Sequence, residues 1–162
     1  MACEDVTDVT ATVDDDLAAL FRLHYGRMVT LAWLLVRSTP LAEDIVQDSF
    51  LKLREAWDRV DNPVAYLRTI VVNGCRKARR RAGTERLHQH ASAGEKGAVS
   101  TDHVDETLEL LARLPTAQRT VLVLRYYVDL PTDEIAAILG CRPATVRSHA
   151  HRGLAALKGV LG

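Results

Sequence analysis

No apolar run in this chain approaches the roughly 20 residues that a bilayer-crossing helix needs, so no membrane insertion is expected. The N-terminus lacks the basic-then-apolar pattern of a secretory signal, and a cytoplasmic location follows as the default. Cysteine is scarce. Cys3, Cys75 and Cys141 are odd in number and far apart, with no C-x-x-C pair, which speaks for reduced thiols rather than a disulfide framework. Alternating β patterns are almost absent. So are a phosphate-binding glycine loop, a G-x-S-x-G elbow and a metalloprotease helix. His88-x-His90 and His149-x-His151 do not have the spacing of a zinc site. No metal, no cofactor and no catalytic residue is assigned, and an enzyme is the reading with least to support it.

What the chain does have is segregated charge. The net charge is +0, and 48% hydrophobic with 26% charged residues is ordinary for a soluble globular protein. The average conceals two extremes. Residues 1–16 hold six acidic residues and no basic one, whereas Arg76 to Arg86 hold six basic residues against Glu85 alone. Charge sorted in this way suits a polyanion-binding surface and an acidic tail that lies near it.

Helical periodicity dominates the rest, so the fold class is expected to be all-α. A first helix is predicted from about Asp16 to Val36. A second starts at Thr39, with Thr39 as N-cap and Pro40 at the first position, and ends near Trp57. Asn62 and Pro63 repeat that signal for a third helix ending near Arg81. Gly83 to His103 is rich in Gly, Ala, Ser and His without any period and reads as a linker. Helices over Val104–Arg113, Thr116–Tyr127, Asp133–Leu139 and Pro143–Leu161 complete the chain. The expected organisation is a disordered acidic tail at 1–16, a three-helix domain at 17–82, a flexible linker at 83–104 and a four-helix domain at 105–162.

Three surfaces stand out. Pro131 to Leu161 fit a helix-turn-helix: Ala136 is small where two helices meet, Gly140 permits the tight turn, and Val146 anchors the second helix on the first. That second helix carries Arg142, Arg147, Arg152 and Lys158 with no acidic residue, as a helix entering a DNA major groove requires. Thr145, Ser148, His149 and Arg152 share its outer face. On the third helix, Val64, Leu67, Ile70, Val71, Cys75 and Ala78 form a core face. Tyr66, Thr69, Asn73, Arg76, Lys77 and Arg80 gather opposite, where cations pair with phosphates and Tyr66 and Asn73 can stack on or bond to bases. On the second helix, Leu51 stands alone on the polar side among Asp44, Gln47, Arg54 and Glu55, like the centre of a protein interface.

Two motifs in this order carry a family resemblance. Ala42-Glu43-Asp44-Ile45-Val46-Gln47-Asp48-Ser49-Phe50-Leu51-Lys52-Leu53, continued by Pro63-Val64-Ala65-Tyr66-Leu67-Arg68-Thr69-Ile70-Val71-Val72-Asn73, resembles region 2 of bacterial sigma factors. Leu114-Pro115-Thr116-Ala117-Gln118-Arg119 and the helix-turn-helix resemble region 4. A chain with only these two regions resembles the extracytoplasmic-function (group 4) sigma factors. The resemblance implies binding to RNA polymerase core and promoter-specific initiation. Asp44, Gln47, Asp48 and Leu51 then match the polymerase-docking helix. Tyr66, Thr69, Asn73, Arg76, Lys77 and Arg80 match the −10 surface, and Arg142, Thr145, Arg147, Ser148 and Arg152 match the −35 recognition helix. An anti-sigma factor is the implied regulator. The competing reading is a conventional helix-turn-helix regulator acting without polymerase, which leaves Leu51 without a role. The linker fits two separated DNA elements, since about 21 residues span about 25 Å relaxed and about 70 Å extended.

Overall fold

The computed structural model describes the backbone of residues 5–86 and 102–161 and side-chain surroundings within 12–83 and 106–160. Among the described residues there are helices and no strand. The first unit contains α1 (Asp5–Val36), α2 (Thr39–Ala56), a short 3-10 turn (Trp57–Arg59) and α3 (Pro63–Arg86). The second contains α4 (Asp102–Arg113), α5 (Thr116–Leu122), α6 (Thr132–Leu139) and α7 (Pro143–Leu161).

Apolar residues at helical spacing explain the first unit. Leu31, Ala32 and Leu35 on α1, Ala42, Val46, Phe50 and Leu53 on α2, and Leu67, Val71 and Cys75 on α3 are buried together. Val72 joins them although it lies outside the core face that helical periodicity predicts for α3. Burial pushes the Cys75 thiol up to about 12, so it behaves as a small hydrophobe. Asn62 starts α3 as expected, its side-chain oxygen accepting from the Ala65 amide at 3.1 Å. At the other end of α1 the chain turns at Arg37, which takes a left-handed φ of 59°. Its guanidinium lies over the Trp33 ring at 4.1 Å, a contact that helps hold this unusual backbone.

Several local expectations need correction. The acidic segment within 5–16 is the first part of α1, not a disordered tail. Acidic residues at a helix N-terminus complement its dipole, so the charge that reads as disorder also favours a helix start. Asp14 pairs with Arg54 of α2 at 3.2 Å and so turns toward α2, not toward the basic stretch of α3. The cap of α2 is Ser38, whose hydroxyl accepts from the Leu41 amide at 3.4 Å, so Thr39 is already helical. α3 continues to Arg86, and α4 begins at Asp102; most of the predicted linker, including His88 and His90, lies outside the described residues.

In the second unit, α5 widens into a π-type turn over Val123–Tyr127, a change of winding that apolar periodicity does not announce. The helix-turn-helix forms as expected. Gly140 ends α6 at φ 64°, while the Cys141 amide reaches the Ala136 carbonyl at 3.1 Å and closes the turn. Ala136 and Val146 are buried where α6 meets α7. Gly153 has a different role: a Cβ there would come within 2.9 Å of Leu122, so its absence sets how closely α7 approaches α5.

The two units are packed on each other. α1 lies against α5 and the π-type turn, and α3 lies against α6. One continuous apolar cluster runs from Leu31 and Val71 through to Leu124 and Val146. Beside it, an open apolar hollow of about 720 Å³ is walled by Val29, Trp33 and Leu34 from one unit and Leu108, Tyr126 and Leu157 from the other.

Two glycines should respond oppositely to the same change. Gly140→Ala meets no steric neighbour, so its cost is the left-handed backbone alone, about 1–2 kcal/mol. Gly26 lies mid-helix with open space around it, and Gly26→Ala should stabilise by about 0.5–1 kcal/mol. Urea unfolding midpoints of the two variants check both signs.

Candidate nucleic-acid interface

The three surfaces singled out in the sequence are each carried by a helix. On α2, Asp44, Gln47 and Asp48 are exposed, and Leu51 is 61% exposed. Asp48 holds Lys52 at 2.7 Å one turn on, a solvated pair of small energetic weight. Leu51 is not as isolated as its own helix suggests. It borders a hollow of about 620 Å³ with Leu17 and Phe21 of α1 and with Phe50 and Arg54. Phe21 stacks on Tyr25 at 4.5 Å and meets Phe50 at 4.8 Å, yet remains 40% exposed. This aromatic wall was missed because it belongs to a different helix. An exposed Phe21 on α1 is the signal that could have found it.

On α3, Asn73, Lys77 and Arg80 are exposed, and Tyr66, Thr69 and Arg76 are half-buried. The Thr69 hydroxyl donates back to the Ala65 carbonyl at 2.9 Å, which leaves its lone pairs as acceptors. Arg79, next to this stripe, donates to the Leu35 carbonyl at 3.3 Å and ties α3 to the end of α1. Arg142 just before α7 and Arg147 and Arg152 on it are exposed, while Thr145 and Ser148 are half-buried. Arg152 donates to the Ser148 hydroxyl at 2.8 Å, so these two residues act as one polar group. His149 belongs less to the outer face than its position implied; it is half-buried, with Nδ1 enclosed and unpaired. Thr132 does not cap α6: Pro131 occupies that place without a side-chain bond, and the Thr132 hydroxyl accepts from Arg125 at 2.9 Å.

The structure brings two of these surfaces together. Arg76 and Arg80 of α3 share a cavity with Thr145 and His149 of α7. The proposed −10 and −35 surfaces therefore face one seam, an arrangement no linear motif encodes. Asp44, Gln47, Asp48 and Leu51 of α2 are not among the residues lining it.

One buried cation organises the second unit. Arg119 is 4% exposed and donates to the carbonyls of Leu111 at 3.0 Å, Ala112 at 2.7 Å and Leu114 at 3.1 Å. Leu111 and Ala112 belong to the last turn of α4 and Leu114 follows it, and the Leu111 carbonyl also accepts from the Leu114 amide at 3.2 Å. Burial, then Arg79 and Arg37, push its pKa down to about 10, so it stays charged at neutral pH. The Leu114–Arg119 motif thus has a structural basis.

Two family models match the chain: Sigma-70 region 2 over residues 20–85 and Sigma-70, region 4 over residues 105–157. The RNA polymerase sigma-E factor of Streptomyces avermitilis is 32% identical over 123 residues, covering 72% of this chain and 69% of that protein. This chain belongs to the extracytoplasmic-function sigma factors. Another relative, named "Probable ECF RNA polymerase sigma factor SigI" in Mycobacterium tuberculosis, is 31% identical over 153 residues and 85% of this chain. The chain spans about half of that relative's length, 53%. In fold it is similar to the sigma factor RpoE solved in complex with the anti-sigma factor NepR from Bartonella quintana. The TM-score is 0.78 at 23% identity, over 90% of this chain and 96% of that one. The all-α, two-region organisation of the family is the one seen here.

Arg119→Met should unfasten α4. Three carbonyls lose a charged donor inside the protein, and the loss should destabilise the chain by about 2–3 kcal/mol. Guanidinium unfolding measures the cost, and faster hydrogen exchange at Leu114 and its neighbours localises it.

Proposed function

We propose that this chain binds RNA polymerase core and directs it to a class of promoters, acting as an initiation factor with no catalytic chemistry of its own, in the cytoplasm. The observation that carries the reading is the coexistence, in one chain with both sigma regions, of an exposed leucine on a polar helix and a helix-turn-helix with exposed cations. A DNA-binding regulator that works alone has no use for the first.

In this reading Leu51 is the apolar anchor of the polymerase contact, and Asp44, Gln47 and Asp48 form its polar rim. The aromatic hollow beside Leu51 widens the surface that a partner helix can cover. The stripe of Tyr66, Thr69, Asn73, Arg76, Lys77 and Arg80 takes the −10 element: the cations neutralise phosphates, while Tyr66 and Asn73 favour unstacked bases. Arg142, Thr145, Arg147, Ser148 and Arg152 take the −35 element. Residues near the start of α7 reach base edges, and those further along meet phosphates. Regulation by an anti-sigma factor is carried over from the fold relative solved with NepR. The seam supports it, since a partner that kept the units together would keep α3 and α7 from DNA.

Leu51→Asp should retain the helical fold and cut core-polymerase binding by at least tenfold, as for an interface anchor. Co-purification with core polymerase and a binding titration check it; wild-type affinity would remove Leu51 from the interface. Such a failure would favour the regulator that works alone.

The two DNA surfaces separate by variant. Arg147→Ala should cost about 1–3 kcal/mol of −35 selectivity at one base position, whereas Arg80→Ala should weaken binding and opening around the −10 element and lower the salt slope by about one. Footprinting and permanganate reactivity on one promoter read both. Blocked melting in Arg147→Ala with upstream selectivity intact would reverse the assignment.

A further inference from the structure

A small notch of about 70 Å³ lies where α1, the start of α3 and the end of the π-type turn meet. On α1 it is lined by His24 and Arg27, one turn apart, with Met28 and Leu31 beside them. Val64 and Arg68 of α3 form the second wall. Tyr127 and Val128 of the second unit form the third. Among the described residues that line it, none is acidic. Asp61 and Asp129 are close to the lining residues in sequence, and neither lines the notch itself.

The notch gathers donors without an acceptor. Arg68 Nε is buried with no hydrogen-bond partner, and Arg68 lines the notch. Among the described residues the ion pairs are Lys52 with Asp48 and Arg54 with Asp14, so none involves His24, Arg27 or Arg68. The Tyr127 phenol likewise has no bond to a described residue. A guanidinium nitrogen taken out of water and left unbonded is unfavourable, and so are two cations converging on one space. A single anion in the notch relieves both.

Size and geometry narrow the choice. The volume is roughly twice the 30 Å³ or so that a water molecule takes up in the liquid, enough for one small oxyanion and too little for a nucleotide. The donors come from three directions: two guanidinium groups, an imidazole N–H and a phenol O–H. Such a set suits an anion with oxygens on every side. We propose that the notch is a site for one free tetrahedral oxyanion, inorganic phosphate or sulfate, held by His24, Arg27 and Arg68 of the first unit together with the Tyr127 phenol of the second. Tyr127 also walls the apolar hollow between the units. An anion bonded to its phenol therefore fixes one side of that hollow and ties the second unit to α1 and α3.

Isothermal titration calorimetry of the full chain with phosphate tests the site, in chloride buffer at constant ionic strength. No polymerase or promoter is present, so the outcome does not depend on the chain being an initiation factor. Phosphate and sulfate should each bind saturably at one per chain, and heats no larger than those of added chloride would overturn the site. Arg27→Gln and Arg68→Gln should each weaken phosphate about tenfold, the effect of one charge-assisted hydrogen bond lost. Lys52→Gln removes a surface cation that does not line the notch and should leave the affinity unchanged. If Arg68→Gln loses its cooperative melting transition, Arg27→Gln carries the test, because Arg27 is exposed. Wild-type affinity in Arg27→Gln would remove the anion from the notch. Tyr127→Phe should weaken phosphate about threefold; sensitivity to the arginines with none to Tyr127 would overturn the bridge. Asp129→Asn probes an internal carboxylate as the occupant. It should leave the melting temperature in phosphate-free buffer unchanged, and a fall as large as that in Arg68→Gln would mean that Asp129 already balances these cations. Displacement of phosphate by a short single-stranded oligonucleotide, one for one, would assign them to nucleic acid instead.

Discussion

The second unit depends on a guanidinium bonded to three backbone carbonyls, with no carboxylate beside it among the described residues. Arg119 donates to the carbonyls of Leu111, Ala112 and Leu114 at and just past the end of α4, and α4 supplies Leu108 and Leu111 to the apolar cluster. Without that anchor a short helix on the far side of a long connection has little to hold it, because isolated helices of this length are marginal in water. The arrangement is tolerable because carbonyl dipoles at a helix C-terminus offer partial negative charge. It also loads the neighbourhood: Arg79 and Arg37 lie close enough to be felt.

The same helices leave groups exposed that stability alone would not select. Leu51 and Phe21 stay open to water beside Phe50, and burying one such side chain is worth about 1.5–3 kcal/mol. Gly153 likewise gives up helix propensity so that α7 can approach Leu122 closely. The first feature faces outward, on the surface proposed for the polymerase contact. The second faces inward and fixes where α7 presents its cations.

Features written in contiguous residues were legible in the sequence. The turn at Gly140 needs one glycine, one small residue and one anchor, all within a dozen positions, and it forms as read. The Asn62 cap is equally local. Leu51 was legible because one residue broke the pattern of its own helix. Ambiguous signals were settled by geometry: Ser38 and Thr39 can both cap, and Ser38 does. The acidic start of α1 is compatible with either disorder or a helix N-terminus, and the composition cannot separate them. What stayed hidden was non-local. Phe21 meets Phe50 from another helix, the π-type turn leaves apolar spacing intact, and the seam joins α3 to α7 across the whole chain.

The apolar hollow between the units also makes their association sensitive to temperature. Its walls, from Trp33 to Leu157, are shielded only while the units stay together. Parting them hydrates that surface and the adjoining cluster, with a positive heat-capacity change. Attraction of this kind weakens on cooling, whereas the charges nearby act in both senses, Arg79 and Arg37 repelling Arg119 and Glu109 attracting Arg37. Cold therefore pushes the two halves toward separation, and warmth draws them closed.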